Sequence, residues 1–375
     1  MSFLKYILFP FVTLLFFSCN SPSEPEGTII KNSSIYEIDT YCYDVDVNDN
    51  TIVVAASDGG YYKFSYTLDG NGFPIVQEMI SEDNHIPDHE NDSIDRVIMS
   101  DGYYDIIYML DKFTGGYSDV WFDNAESLSM DPPFFNDNCY QSKYLDIALD
   151  ESSSNGTEFD THRIYSLMKH TSLNENNDDD EFEAYSTSLV KREINIVPGI
   201  NTDIMLVNGQ CEYLHNLSYS STEIHLGDGK LAVASESDGI TLFSRQNNGD
   251  LDSLFSYNVS GGQAQSVYAF ENAVVGGFSN DKGCYMALLE SDSDSVSNYI
   301  AFAEGYSING IDFSDNIIGL ATGNDGVQLY EWSGGSNVTP YGSINTDEYA
   351  YDLKIKGDLI FVATRTGLEI FKIGI

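Results

Sequence analysis

Basic residues are scarce in this chain. Seventeen Lys and Arg stand against 59 Asp and Glu, for a formal charge of −42. Such a surface repels phosphate backbones, which excludes nucleic acid as a partner. It suits salty water and offers oxygen ligands to divalent cations, and it also serves simply as a solvated surface. Helical periodicity is missing too: beyond residue 20 no stretch repeats apolar residues at amphipathic-helix spacing. Catalytic signatures are absent as well. There is no G-x-S-x-G, no H-E-x-x-H, no phosphate-cradling glycine loop and no CxxC.

What is abundant is strand material. The chain has 26 Tyr, 21 Phe and 31 Gly, and 42% of its 375 residues are hydrophobic. That composition favours strands joined by tight turns and suffices for a large core or a large repeat array.

The first line, "MSFLKYILFPFVTLLFFSC", has Lys5 as its only charge. An apolar run from Tyr6 to Phe17 follows, then Ser18 and Cys19. The run is too short to span a membrane and has the layout of an export signal. A small residue before a cysteine at the end of such a run resembles the bacterial lipoprotein signal. The resemblance implies a signal peptide over 1–18, removed to leave a lipidated Cys19. "NSPSEPEG" (20–27) is polar, carries two prolines, and reads as a tether off a membrane, completing a 19–27 anchor segment. Asn20 is not the aspartate that in such lipoproteins implies inner-membrane retention, so an outer-membrane lipoprotein of the cell envelope is expected, periplasmic or surface-facing. The other cysteines, Cys42, Cys139, Cys211 and Cys284, are far apart. They are either paired in an exported protein or buried as small apolar residues.

Residues 28–375 carry a repeat. "YDVDVNDNTIVVAASDGGYYKFSY" (43–66), "EIHLGDGKLAVASESDGITLFSR" (223–245), "GIDFSDNIIGLATGNDGVQLYEW" (310–332) and "YDLKIKGDLIFVATRTGLEIFKI" (351–373) share one grammar. An alternating strand leads through an Asp, Asn or Gly turn to an apolar strand, and a turn ending in Gly leads to a third, alternating strand. Weaker copies occupy 96–122, 145–192 and 265–289. Anchoring on one first-strand residue gives Val45, Val97, Ile147, Ile224, Val267, Ile311 and Leu353, at spacings of 52, 50, 77, 43, 44 and 42. The 77-residue interval is read as one blade with long loops rather than two. Fourth strands are expected at 73–79, 251–259, 296–303 and 338–344. The expected fold is all-β: a seven-bladed β-propeller of four-stranded antiparallel blades.

The "GITLF", "GVQLY" and "GLEIF" third strands follow second strands such as "LAVA" and "IFVAT". Together they resemble the LVIVD-repeat β-propellers, exported bacterial proteins. The resemblance covers roughly 35–375 and implies the fold; the family has no agreed chemistry to carry over, so it leaves the function open.

In a propeller the loops between second and third strands, and those between blades, lie on one face. The insertions 81–94, 131–143 and 170–182 all fall there, whereas 151–160 falls on the other face. Long loops gathered on one face of a rigid scaffold point to a binding surface. Its candidates are His85, Asp88, His89 and Glu90, and the acidic run Asp178, Asp179, Asp180 and Glu181. The short turns of the same face add Asp58, Asp238, Asp281, Asp325 and Arg365. The acidic runs could hold Ca²⁺, although no EF-hand-type loop is present, and no cofactor is otherwise implied. The leading expectation is a noncatalytic, lipid-anchored propeller that binds a protein or polysaccharide of the envelope. The alternative is a propeller hydrolase or lactonase with a metal at the channel mouth, which predicts inward carboxylates and a histidine converging there.

The chain's last phrase has three strands. The segment at 29–47 matches 338–355 and looks like a fourth strand lacking its first three. Ile35–Ile38 are therefore expected to pair beside "GLEIFKI", closing the ring and covering a strand edge.

Overall fold

The computed structural model describes residues 31–373 except 79–92, 101–105, 112–119, 125–141, 152–159, 174–181, 199–203, 271 and 291–294. The described residues contain strands and turns and no helix. Strand β1 (Lys31–Glu37) precedes seven sheets that follow one another along the chain. The first sheet holds β2 (Asp44–Asn48), β3 (Thr51–Ala55), β4 (Tyr61–Leu68) and β5 (Pro74–Glu78). The second holds β6 (Ile94–Met99), β7 (Ile106–Asp111) and β8 (Val120–Asn124), three strands among the described residues. The third is β9 (Ser142–Asp150), β10 (Asp160–Leu173), β11 (Phe182–Pro198) and β12 (Ile204–Leu217). Among the described residues, the irregular interval of the repeat holds these four long strands in a single sheet.

The fourth sheet is β13 (Glu223–Gly227), β14 (Lys230–Ser235), β15 (Gly239–Arg245) and β16 (Leu251–Tyr257). The fifth is β17 (Ala264–Ala269), β18 (Ala273–Phe278), β19 (Gly283–Leu289) and β20 (Val296–Phe302). The sixth is β21 (Gly310–Ser314), β22 (Ile317–Ala321), β23 (Val327–Glu331) and β24 (Thr339–Ile344). The seventh is β25 (Ala350–Lys356), β26 (Leu359–Thr364) and β27 (Gly367–Lys372), with β1 as its fourth strand. β1 pairs antiparallel with β27, Ile35 opposite Glu369 and Tyr36 opposite Leu368. Every described pairing is antiparallel between neighbours, and the architecture is all-β and propeller-like.

Turn chemistry explains the hairpins. Asp228 and Gly229 have φ of 49° and 75°, and Asp315 and Asn316 have φ of 47° and 70°. Consecutive left-handed residues make the two-residue turn whose twist matches the flanking strands, and Asp, Asn and Gly bear that conformation best.

The core lies between sheets. Alternation along each first strand sends one residue into it: Val45, Val97, Ile147, Ile224, Val267, Ile311 and Leu353 are all buried. Second strands such as β14, β18 and β26 are buried along their whole length. Each consecutive pair of sheets shares one apolar cluster. Another joins the seventh sheet (Phe361, Leu368, Ile370) to the first (Val45, Ile52, Phe64). Burying each such side chain is worth about 1.5–3 kcal/mol, so these clusters dominate stability. The sheets are also stitched by single bridges: Ser57 to Ile94, Glu236 to Ala264 and Gly323 to Ala350. Each bridge joins a second-to-third-strand turn to the start of the next sheet's first strand.

Candidate functional site

If the anchor residue of each first strand faces the core, its neighbours on either side face away from it. Those neighbours line a cavity of about 490 Å³ built from the first strands of all seven sheets. A second cavity of about 370 Å³ adjoins it where the first strands begin. The residue before the anchor is Asp44, Arg96, Asp146, Glu223 or Asp352 in five sheets, and the residue after it is Asp46, His225, Tyr268, Asp312 or Lys354 in five.

Most of these groups do structural work first. A first strand has one edge with no strand partner, and its exposed peptide N–H groups need acceptors. Asp44 Oδ2 accepts from Val97 N at 2.8 Å, and Asp46 Oδ2 from Met99 N at 2.7 Å. Asp146 Oδ2 accepts from Ile224 N at 2.7 Å, and Glu223 Oε1 from Val267 N at 3.2 Å. Asp312 Oδ2 accepts from Ile355 N at 2.6 Å, and His225 Nδ1 from Ala269 N at 3.0 Å. In each case the side chain of one sheet latches the first strand of the next.

At the cavity mouth one cation meets four carboxylates. Arg96 Nε lies 3.2 Å from Asp146 Oδ1, and Arg96 NH1 lies 3.4 Å from Asp44 Oδ1 and 3.8 Å from Asp352 Oδ2. Burial opposes the guanidinium charge, but Asp146, Asp44, Asp352 and Glu223 outweigh it and hold Arg96 above its ordinary range. A single cation cannot ionise all four acids. Burial pushes Glu223 up to about 8 against the pull of Arg96, and Asp146 adds to the rise. Burial, then the hydrogen bond with Asp44, pushes Asp352 well above the carboxylate range. Burial also works against ionisation of Asp44, but Arg96, the bond from Asp352 and the Val97 amide keep it below its ordinary value. Asp352 thus holds a proton that it donates to Asp44.

Deeper in, Lys354 Nζ sits 3.4 Å from Asp46 Oδ1 and 3.9 Å from Asp312 Oδ1. Both acids raise the lysine further above its usual range. His225 stacks on Tyr268, ring centroids 3.8 Å apart. Burial, with Lys354 and Arg96 adding to it, drops His225 to about 3, so the ring is neutral. With Nδ1 accepting, the proton resides on Nε2.

Outside this charged floor stands an aromatic rim. Tyr43 and Tyr351 meet edge to face at 5.0 Å, while Tyr349 and Tyr351 at 4.8 Å and Tyr41 and Tyr43 at 6.2 Å are tilted against each other. The Arg365 guanidinium lies 5.9 Å from the Tyr41 ring and 5.8 Å from the Tyr349 ring. Burial and Asp95 raise the Tyr43 phenol. Asn309 Nδ2 donates to Tyr349 Oη at 3.0 Å and to Ala350 O at 3.1 Å.

The sequence-derived residues divide accordingly. Asp58, Asp238, Asp281, Asp325 and Arg365 are all exposed, each in a second-to-third-strand turn of a different sheet. Asp238 accepts a hydrogen bond from Ser218 Oγ, and Asp281 from Ser307 Oγ at 3.2 Å. These acids are distributed around one end of the sheets, and only Arg365 joins the aromatic rim. His85, Asp88, His89, Glu90, Asp178, Asp179, Asp180, Glu181 and Cys19 lie outside the described residues. Strand pairing puts the end of β10 and the start of β11 at the same end of the third sheet as the start of β9. Among the described residues, no group of three or more His, Cys, Asp or Glu is placed to hold a metal ion. Cys42 and Cys284 are free and buried, and Cys211 is disulfide-bonded.

Along the sequence Asp44 and Asp352 occupy matching repeat positions, which marks a structural role, and the choice of loop and turn residues passes over Arg96, Asp146, Glu223, His225, Asp312 and Lys354. Their signal was available: in period-two strands the residues flanking a buried anchor share the opposite face, and here they are charged.

No family model matches the chain, and no curated protein matches it. Among solved structures, the computationally designed Ika8 protein resembles it with a TM-score of 0.50 at 10% identity, covering 94% of this chain and 100% of that one. That likeness bears on the fold alone.

Proposed function

We propose that this chain is a noncatalytic binding module of the bacterial cell envelope, built as a closed seven-bladed propeller of the LVIVD-repeat type. A lipidated Cys19 and the tether after it hold it to the outer membrane, and the face bearing the inter-sheet loops takes up a protein or polysaccharide. The observation that carries the noncatalytic reading is the engagement of the cavity's polar groups. Asp44, Asp46, Asp146, Glu223 and Asp312 accept main-chain amides of the neighbouring sheet, and His225 does the same through Nδ1. A general base needs its acceptor atom open to a reacting proton. These atoms are already satisfied. The disulfide at Cys211 supports export, since such bonds persist in oxidising compartments. The β1–β27 pairing and the apolar cluster between seventh and first sheets support closure.

Two measurements test the reading. Cys19→Ser should move the protein from the membrane fraction to the soluble fraction and abolish fatty-acid labelling; unchanged membrane association would refute the anchor. Pull-down from envelope extract should recover a defined partner whose capture survives Asp146→Asn and fails when residues 79–92 are deleted. The hydrolase reading is favoured by the inward carboxylates and His225. It requires a bound divalent ion, so metal analysis of the purified protein decides it: a stoichiometric ion would restore that reading.

A further inference from the structure

We infer that the 370 Å³ mouth cavity, lined by Tyr43 and Tyr351 and extended by Tyr41 and Tyr349 in ring contact with them, is a binding subsite for an uncharged saccharide. The inference rests on the binding-module reading above and names the ligand class for the same face.

Three observations point to a sugar. First, the rim offers flat apolar surface with polar edges. Tyr41 is 47% exposed, and the four phenol rings are held against one another and against Arg365 by the ring contacts described above. Rigid phenols bind the C–H face of a pyranose at low entropy cost, and their hydroxyls and neighbours serve the ring's own hydroxyls. Second, the lining is almost wholly polar. Ser93, Thr222, Gln265 and Asn309 contribute alongside the acids, and Leu145 is the one aliphatic side chain. Protein hot spots need a fully desolvated apolar or aromatic anchor pocket, which this lining does not provide. A polyol, by contrast, needs many donors and acceptors. Asn309 spends its amide N–H groups on Tyr349 and Ala350, and its Oδ1 has no partner among the described residues. Third, charge selects among saccharides. The lining has five acids to one guanidinium; Glu223 and Asp352 keep their protons at neutral pH, and the chain's formal charge of −42 repels uronate, sulfate and phosphate sugars.

The neighbouring cavity deepens the pocket without changing its chemistry, since it too is lined by charged groups committed to latches. An extended glycan would therefore lie across the mouth, one ring against the tyrosines, rather than thread into the interior.

The test uses the whole folded domain and a defined probe set: cello-, malto-, laminari- and chitotetraose, with polygalacturonate and a heparin fragment as anionic controls. Titration calorimetry should give saturable binding of at least one neutral tetrasaccharide and none of the anionic controls. Tyr41→Ala and Arg365→Ala change exposed residues and leave the fold intact; each should weaken that binding about tenfold, and Tyr41→Phe should restore most of it. Absence of binding by every neutral tetrasaccharide up to roughly 5 mM would overturn the inference. So would binding that Tyr41→Ala and Tyr349→Ala leave unchanged. If a protein partner is captured from envelope extract equally well by wild type and these variants, the saccharide subsite fails while the binding-module reading stands. If neither sugar nor protein is bound, both fail.

Discussion

The Asp146 carboxylate accepts the peptide N–H of Ile224, 78 residues further on, at 2.7 Å, while its other oxygen lies 3.2 Å from Arg96. One side chain thereby ties the third sheet to the fourth and to the second. Both oxygens are nearly dry, so each bond is worth more than at a surface.

Asp146→Ala is expected to destabilise the protein by about 2–4 kcal/mol, because it strands a buried amide and removes a counter-charge from Arg96. Asp146→Asn keeps one acceptor and should cost about half as much. Urea titration measures both as shifts in midpoint at constant slope. A loss below ~0.5 kcal/mol for the alanine variant would mean that the latch is ornamental.

Stability should fall as pH rises from neutrality to mildly basic. Glu223 has an ordinary value of 4.5 and a folded value of about 8. Between these the folded protein keeps a proton that the unfolded chain releases, so raising pH favours unfolding. Asp352 is raised and acts with the same sign. His225, lowered from 6.5 to about 3, acts oppositely: below 6.5 the unfolded chain takes up a proton and the fold does not. Above 6.5 the histidine contributes no slope, leaving only the acids. Thermal melts between pH 6.5 and 8 should therefore decline, by at most about 1.4 kcal/mol per unit for each group. Glu223→Gln should make the decline shallower, and an unaltered slope in that variant would rule out Glu223 as its source.

Truncation separates the proposed tether from the strand that completes the seventh sheet. Removing residues 20–27 should leave the melting temperature unchanged. Removing 28–40 takes away β1, whose backbone covers β27, and also Ile38, which packs with Leu368 and Ile370. The freed edge is a template for pairing with another chain. The longer deletion should lower the melting temperature by many degrees and produce higher-order species on size-exclusion chromatography. Equal behaviour of the two truncations would contradict ring closure by β1.

Cysteine accessibility should be all-or-none. Cys42 is fully buried, and its thiol is pushed up to about 12 by that burial. Cys284 is buried and raised in the same way. Neither thiolate forms at neutral pH, so an alkylating probe should label both only after denaturation. Cys211 should stay unlabelled until reductant is added. Labelling of native Cys284 within minutes would show that the fifth sheet opens locally.

Much of the fold was legible. The seven anchors, the Asp-Gly and Asp-Asn turns and the four expected fourth strands came from period two and turn chemistry, both local properties of a chain. The strands begin and end within a few residues of where the pattern puts them: β5 and β24 are Pro74–Glu78 and Thr339–Ile344. The long strands of the third sheet were less legible, because β10 and β11 run to 14 and 17 residues and outgrow the repeat.

The site was legible only in part. Arg365 was selected as one turn residue among five, and its position in the repeat did not distinguish it from Asp58 or Asp325. What distinguishes it is that the rings of Tyr41, near one end of the chain, and Tyr349, near the other, come within 5.9 and 5.8 Å of its guanidinium. Likewise, alternation marks Asp44, Arg96, Asp146, Glu223 and Asp352 as facing away from the core. It does not say that they face one another. The sequence alone determined the strands, their turns and their buried faces, because sterics and hydrophobic pattern act over a few residues. The tertiary structure decided which charges share a cavity, which of them keep protons and which rings form its mouth. Those depend on distances between strands far apart in the chain, and Coulomb and desolvation energies are set by such distances and by burial.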